Sequence, residues 1–253
     1  FERSLETYRI NDAANRIYEF IWHEFCDWYL EMAKLTIGEA HTQITLYKVL
    51  EKSLRMLHPI MPFITEEIWQ SLPREHDTDS IMVSKWPHMQ KAFISKKVDD
   101  EMSYLISVIQ AIRNLRATWH IEPKNIVDVA IKVKKGSALA SLEKNLEYVK
   151  KLSRVGNLTV STKVKKPKHS ATQVVENTEI FLPLEGIIDI EKEKERLNGK
   201  IAGLVTEIER REAKLRNKNF TSKAPKDVVR KTKDSLTSLT EELVPLKKNL
   251  KLL

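Results

Sequence analysis

The chain has 253 residues, 42% of them hydrophobic, which is room for two or three domains with real cores. Its single cysteine, Cys26, excludes an internal disulfide framework and any cysteine-based zinc site, and fits a reducing compartment. No run of about 18 apolar residues offers a membrane span, and the net charge of +8 points toward a polyanion as partner.

The chain starts at Phe1, without methionine or a signal-peptide pattern, inside what already reads as helix, so it is expected to be cut from a longer protein. Six glycines and nine prolines favour long helices over a strand-and-turn design. Fifteen of the eighteen aromatic residues precede Ile121, which places a large-residue helical core in the first half. Ala14, Ile17, Ile21, Phe25, Trp28, Met32 and Leu35 form the stripe of a first helix ending before Gly38. A second helix is predicted from Thr42 to Leu57, stopped by His58-Pro59, and Pro62 opens a short third one through Trp69. A polar loop with Asp77, Asp79 and Ser80 follows. The last helix of this half runs from Lys91 to Trp119, seamed by Val98, Met102, Leu105, Ile109 and Ile112.

From Ile126 the period changes to two: Val127, Val129, Ile131 and Val133 alternate with polar residues and predict a strand. A helix over Leu139–Leu152 and strands over Leu158–Val164 and Glu179–Leu184 complete a small α+β module. The basic loop Lys163–Ser170 is expected to be mobile. In the last quarter, Ile190, Leu197, Ile201, Leu204, Ile208 and Leu215 follow a heptad step, with Lys194 and Arg211 out of type. Val229, Leu236, Leu239, Leu243, Leu246, Leu250 and Leu253 repeat it, with Thr232 the weak member. Two such seams around a short polar break predict an antiparallel coiled-coil hairpin. Pro245 is expected to kink its second arm, and Gly199 and Gly203 to weaken its first. The fold class is therefore mainly α: a helical bundle over 1–121, an α+β module over 122–187 and the hairpin over 188–253.

Charge is concentrated at the hairpin tip. Between Arg210 and Lys233 lie ten cations (Arg210, Arg211, Lys214, Arg216, Lys218, Lys223, Lys226, Arg230, Lys231 and Lys233) against two acids, a net +8 that equals the excess of the whole chain. Such a tip suits RNA phosphates; a scaffold whose coiled coil pairs with another protein is the competing reading. Catalytic constellations are missing. His23-Glu24-Phe25-Cys26-Asp27 lacks the second histidine of a zinc-protease helix, and no glycine-rich phosphate loop or nucleophile elbow occurs. No catalytic, cofactor-binding or metal-ligating residue is assigned.

The segments RINDAANRIYEFIWHEFCDWYLEMAK (from Arg9), LHPIMPFITEEIW (from Leu57) and IRNLRATWHIEP (from Ile112) resemble the anticodon-binding domain of class I aminoacyl-tRNA synthetases of the valine, isoleucine and leucine group. FLPLEGIIDIEKEKERL (from Phe181) and NKNFTSKAPKDVVRK (from Asn217) are similar to the C-terminal arm of the valyl-tRNA synthetases. The resemblance implies a cytoplasmic, monomeric ligase that joins valine to tRNA(Val) with ATP and magnesium and edits mischarged tRNA, with no DNA or membrane partner. Its HIGH-type and KMSKS-type catalytic signatures are not found here, so the resemblance implies tRNA holding and not chemistry. The bundle would meet the anticodon and the arm the outer corner of the tRNA. Asn15, Arg16, Glu19 and His23, off the apolar stripe, with Arg113 and Arg116, three apart on one helix, are the residues expected at the anticodon groove.

Overall fold

A computed structural model describes residues 1–73, 78–134 and 136–253, apart from the side chains of Ser137, Lys218, Asn219 and Lys223. Asp77 of the expected polar loop lies outside the described residues. The chain forms two compact units, Phe1–Asp99 and Asp100–Leu253.

The first unit is helical. After α1 (Glu2–Glu6), one unbroken run of helix comprises α2 (Ile10–Glu19), a π-helical stretch (Phe20–Leu30) and α3 (Glu31–Ala33). Ala13, Ile17, Phe25, Met32 and Ala33 are the buried members, whereas Leu35 of the predicted stripe is exposed. Helix α4 (Ala40–Leu57) and helix α5 (Pro62–Ser71) follow, and Pro62 occupies the first turn of α5, where its missing N–H costs nothing. Between them His58 closes α4, and its Nδ1 lies 2.8 Å from Thr65 Oγ1. Leu54, Trp69 and Ile81 pack together with Leu50 and Leu72 around them. The Trp69 indole N–H donates to Glu51 Oε1 at 3.3 Å, which gives the largest fully buried side chain a partner for its one polar atom. Glu66 fastens the returning loop: it accepts from Gln70 at 2.8 Å and from Ser80 Oγ at 2.7 Å, and these bonds hold its carboxyl below the usual range.

Helix α6 (Lys96–Thr118) begins at the end of the first unit and belongs mostly to the second, starting five residues later than the sequence predicts. The expected seam is out of phase at its beginning. Val98 is 59% exposed and Met102 36%, while Tyr104, Leu105, Val108, Ile109, Ala111, Ile112 and Leu115 are buried. That inner face is broader than one heptad seam, and it reaches the sheet of the second unit where Tyr104 Oη lies 2.6 Å from Thr178 Oγ1 in a buried pair.

The sheet has four strands in the order β2-β1-β4-β3, from β1 (Val127–Val133), β2 (Val155–Ser161), β3 (Ser170–Val175) and β4 (Thr178–Pro183). β1 and β2 are parallel, so they need a crossover, which α7 (Gly136–Lys144) and α8 (Leu146–Ser153) supply with Leu142 and Val149 fully buried. The sequence predicts one helix here; it breaks at Asn145, whose side-chain amide donates to Ser141 O at 2.8 Å. β3 has no counterpart among the predicted strands. It pairs antiparallel with β4 across the two-residue turn Glu176-Asn177, with Glu176 at φ 49°.

The chain ends in a helix pair, α9 (Ile190–Arg216) and α11 (Lys226–Leu250), joined through the short α10 (Lys218–Lys223). Asp189 caps α9, its Oδ1 accepting from Lys192 N at 3.1 Å. The predicted seams are the inward positions on both helices. Leu197 is buried, and Ile201, Leu204, Ile208, Leu215, Val229, Leu236, Leu239, Leu243, Leu246 and Leu250 are half-buried. Helix α11 continues through Pro245 to Leu250, so the proline removes one amide donor without ending the helix.

Candidate nucleic-acid interface

The arm carries its cations on both helices. Lys214, Lys226, Lys231 and Lys233 are exposed and have no ion-pair partner among the described residues. Arg210, Arg216 and Arg230 are exposed but share their charge with Glu207 (3.8 Å), Glu212 (3.1 Å) and Asp227 (3.2 Å), each one helical turn away. Exposed pairs of this kind are worth under ~1 kcal/mol and exchange readily for a phosphate. The side chains of Lys218 and Lys223 lie outside the described residues. A groove of about 360 Å3 runs between the helices, lined by Arg210, Arg211, Lys214 and Lys231 with Glu207 as its acid.

Arg211 differs from the other seven cations whose side chains are described. Its side chain is 29% exposed and turns into the seam, where Nε donates to Ser235 Oγ at 3.0 Å and Nη1 pairs with Glu207. The hydrogen bond from Arg211, ahead of its charge, holds the Glu207 carboxyl below the ordinary value of 4.5. The sequence places Arg211 among the tip contacts; the structure makes it the cross-tie between α9 and α11.

In the helical unit, Asn15, Arg16, Glu19 and His23 are exposed, as their place off the stripe predicts. Asn15 and His23 adjoin an aromatic feature to which sequence spacing assigns no role. Tyr18 and Trp22, one helical turn apart and each 54% exposed, stack with ring centroids 6.4 Å apart and planes 5° from parallel. They wall a groove of about 360 Å3 whose other side is Leu57, Ile60 and Met61, with Asn15 at the rim. The His23 ring sits edge-on to Tyr18 at 5.8 Å and is held by Asp27 at 3.1 Å. Exposed aromatic faces beside an amide and an imidazole can stack a base and bond its edge. The sequence signal is faint: Tyr18 and Trp22 directly follow the stripe residues Ile17 and Ile21, which puts them at the edge of the apolar face and not at its centre.

Arg113 and Arg116 belong to the other compact unit and are engaged there. Arg113 Nε donates to Leu152 O at 2.9 Å. Arg116, only 7% exposed, donates to three carbonyls: Arg154 O at 3.2 Å, Glu122 O at 2.9 Å and Asn125 O at 2.8 Å. Burial pulls its pKa down, yet the guanidinium stays charged. It ties the end of α6 to the start of β1 and the end of α8, a structural task the i, i+3 spacing could not reveal.

Residues 1–131 match the family described as the anticodon-binding domain of tRNA ligase. The chain belongs to that family. As a member of the anticodon-binding family it carries a second module too: residues 189–253, which begin at the cap of α9, match the valyl tRNA synthetase tRNA binding arm. Similar proteins include the valine–tRNA ligases of Oceanobacillus iheyensis (44% identical over 92% of this chain and 27% of that protein) and Syntrophotalea carbinolica (38%, over 98% and 28%). That of Thermotoga maritima is 40% identical over 96% of this chain and 28% of its own length. The chain thus spans little more than a quarter of the relatives it matches. Among the described residues no three His, Cys, Asp or Glu side chains gather to hold a metal ion, and no helix is long and apolar enough to cross a membrane.

Proposed function

We propose that this chain is the tRNA-holding portion of a cytoplasmic, monomeric valine–tRNA ligase and contributes no catalytic group. The arm grips ribose-phosphate backbone of tRNA(Val), and the groove beside Tyr18 and Trp22 receives bases of the anticodon. In this reading ATP, magnesium, valine activation and editing are the business of the remainder of the parent protein. The observation that carries it is the set of cations, on both helices of an arm matching a tRNA-binding family, that have no ion-pair partner among the described residues. Asn15 at the rim of the aromatic groove and His23 edge-on to Tyr18 are the bonding groups we assign to base edges, with Arg16 and Glu19 beside them in sequence.

Binding of the chain to a tRNA(Val) transcript at two salt concentrations tests both surfaces. Removing one cation from a phosphate flattens the salt dependence by about 0.7–0.9 in logarithmic slope, so Lys214→Gln with Lys231→Gln should bind more weakly and less salt-sensitively. Tyr18→Ala with Trp22→Ala should lose ~1–3 kcal/mol for each stacked base and leave the slope intact. Variants that bind as tightly as the parent, or a chain that forms salt-insensitive dimers and ignores tRNA, refute the reading in favour of a protein-pairing scaffold.

A further inference from the structure

The arm does not hold all the concentrated positive charge. Between Glu147 and Glu176 the sequence has seven lysines and arginines and no acid, a block as one-sided as the arm tip. Three of the seven, Lys150, Lys151 and Arg154, lie at or just after the end of α8, before β2 begins. The other four, Lys163, Lys165, Lys166 and Lys168, fall within the connection from β2 to β3.

Topology dictates the route of that connection. β2 and β3 are the two edges of the β2-β1-β4-β3 sheet, so the chain must travel past β1 and β4, three strand spacings or ~14 Å. It turns at Thr162-Lys163, runs without a turn over Val164–Pro167, and turns again at Lys168-His169. β2 and β3 both run parallel to β1, so the connection must also return ~13 Å along the strands, and the eight residues 162–169 are long enough for that diagonal. Val164 and Pro167 are half-buried and Ser170, the first residue of β3, is buried, so the strap lies against the protein through these positions and leaves its lysines outside. All four lysines and His169 are exposed, and none is in an ion pair among the described residues.

The strap is also fixed at both ends, where the sequence predicts a mobile loop. Lys163 N donates to Ser161 Oγ at 3.2 Å, Ser170 Oγ to Pro167 O at 2.7 Å, and Leu184 N to His169 O at 2.9 Å. A row of cations on backbone already held in place binds a polyanion without the ordering cost of a floppy tail.

We propose that the strap from Lys163 to Lys168 is a second ribose-phosphate contact of this protein, separate from the arm tip. It rests on the tRNA reading above and adds to it a surface on the sheet. Phosphate contacts of this kind fix orientation and carry no sequence information, so the strap should hold any tRNA backbone that the other surfaces select.

The test uses the full chain and a tRNA(Val) transcript. Neutralising the strap (Lys163→Gln, Lys165→Gln, Lys166→Gln, Lys168→Gln) should lower affinity in dilute buffer by on the order of tenfold or more and reduce the salt slope by about 3. Its thermal midpoint should match the parent, since the replaced groups are exposed. On the unmutated chain, tRNA should protect these lysines from acetylation, read by mass spectrometry. A strap variant with parental affinity and slope, alongside a weakened Lys214/Lys231 variant, overturns this proposal and leaves the arm reading standing. A parent chain that ignores tRNA overturns both. Protection by anionic phosphatidylserine vesicles but not by tRNA overturns the assignment to RNA.

Discussion

Arg116 offers the sharpest check on how the second unit is held together. Replacing it with methionine keeps most of the stem and removes the guanidinium, leaving the carbonyls of Glu122, Asn125 and Arg154 without their donor. Hydrogen bonds from a charged donor are worth ~1.5–3 kcal/mol each, but carbonyls near a module edge recover part of that from water, so a net loss of ~3 kcal/mol is expected. In urea, where small proteins lose ~1–3 kcal/mol per molar, the midpoint of the unit should fall by ~1–3 M with little change of slope. Far-UV circular dichroism of the purified chain reads it directly. Arg116→Lys should recover only a fraction, because one ammonium cannot reach three diverging carbonyls. If Arg116→Met keeps the parental midpoint and weakens tRNA binding instead, the guanidinium serves RNA and not the fold.

Two further outcomes bear on the arm. A Cβ added at Gly199 or Gly203 meets nothing within 4 Å, so Gly199→Ala and Gly203→Ala should each stabilise α9 by ~0.5–1 kcal/mol, seen as a higher melting temperature; a lower one would mean the helix needs these glycines. The Glu207 carboxyl is held below 4.5 when folded, so its contribution is present above that value and is lost as the pH falls through its folded pKa. Glu207→Gln should therefore melt lower than the parent at pH near 7 and together with it at pH near 3, and an equal gap at both would remove the Arg211 pairing as its source.

The helical periods are legible in the sequence because they report burial, and burial is what the apolar pattern encodes. The arm seams, the start of α5 at Pro62 and the strand from Val127 to Val133 all follow from spacing alone. What escapes has a shared physical character. β3 is an edge strand with Thr172 and Gln173 at its centre, so it has no apolar alternation to announce it, and only its pairing with β4 makes it a strand. The π-helical winding of Phe20–Leu30 escapes because a period of 3.6 is assumed, not read, although Phe25 and Met32 of the expected stripe are buried all the same. Arg116 looks like a surface cation because its partners are main-chain carbonyls from two segments remote in sequence from each other. Tyr18 and Trp22 count as core aromatics by composition, although their position on the helix puts them in solvent.

A pair of helices zipped by leucine alone can slip, since each stagger buries much the same area. Arg211 removes that freedom: a guanidinium lodged between the helices is satisfied by Ser235 on one side and Glu207 on the other, and any other stagger parts it from the serine. The hairpin accordingly has one span, ~40 Å for the 27 residues of α9, and behaves as a calliper whose jaw cannot drift. Whatever rests on its far end is kept at a set distance from the sheet at its root.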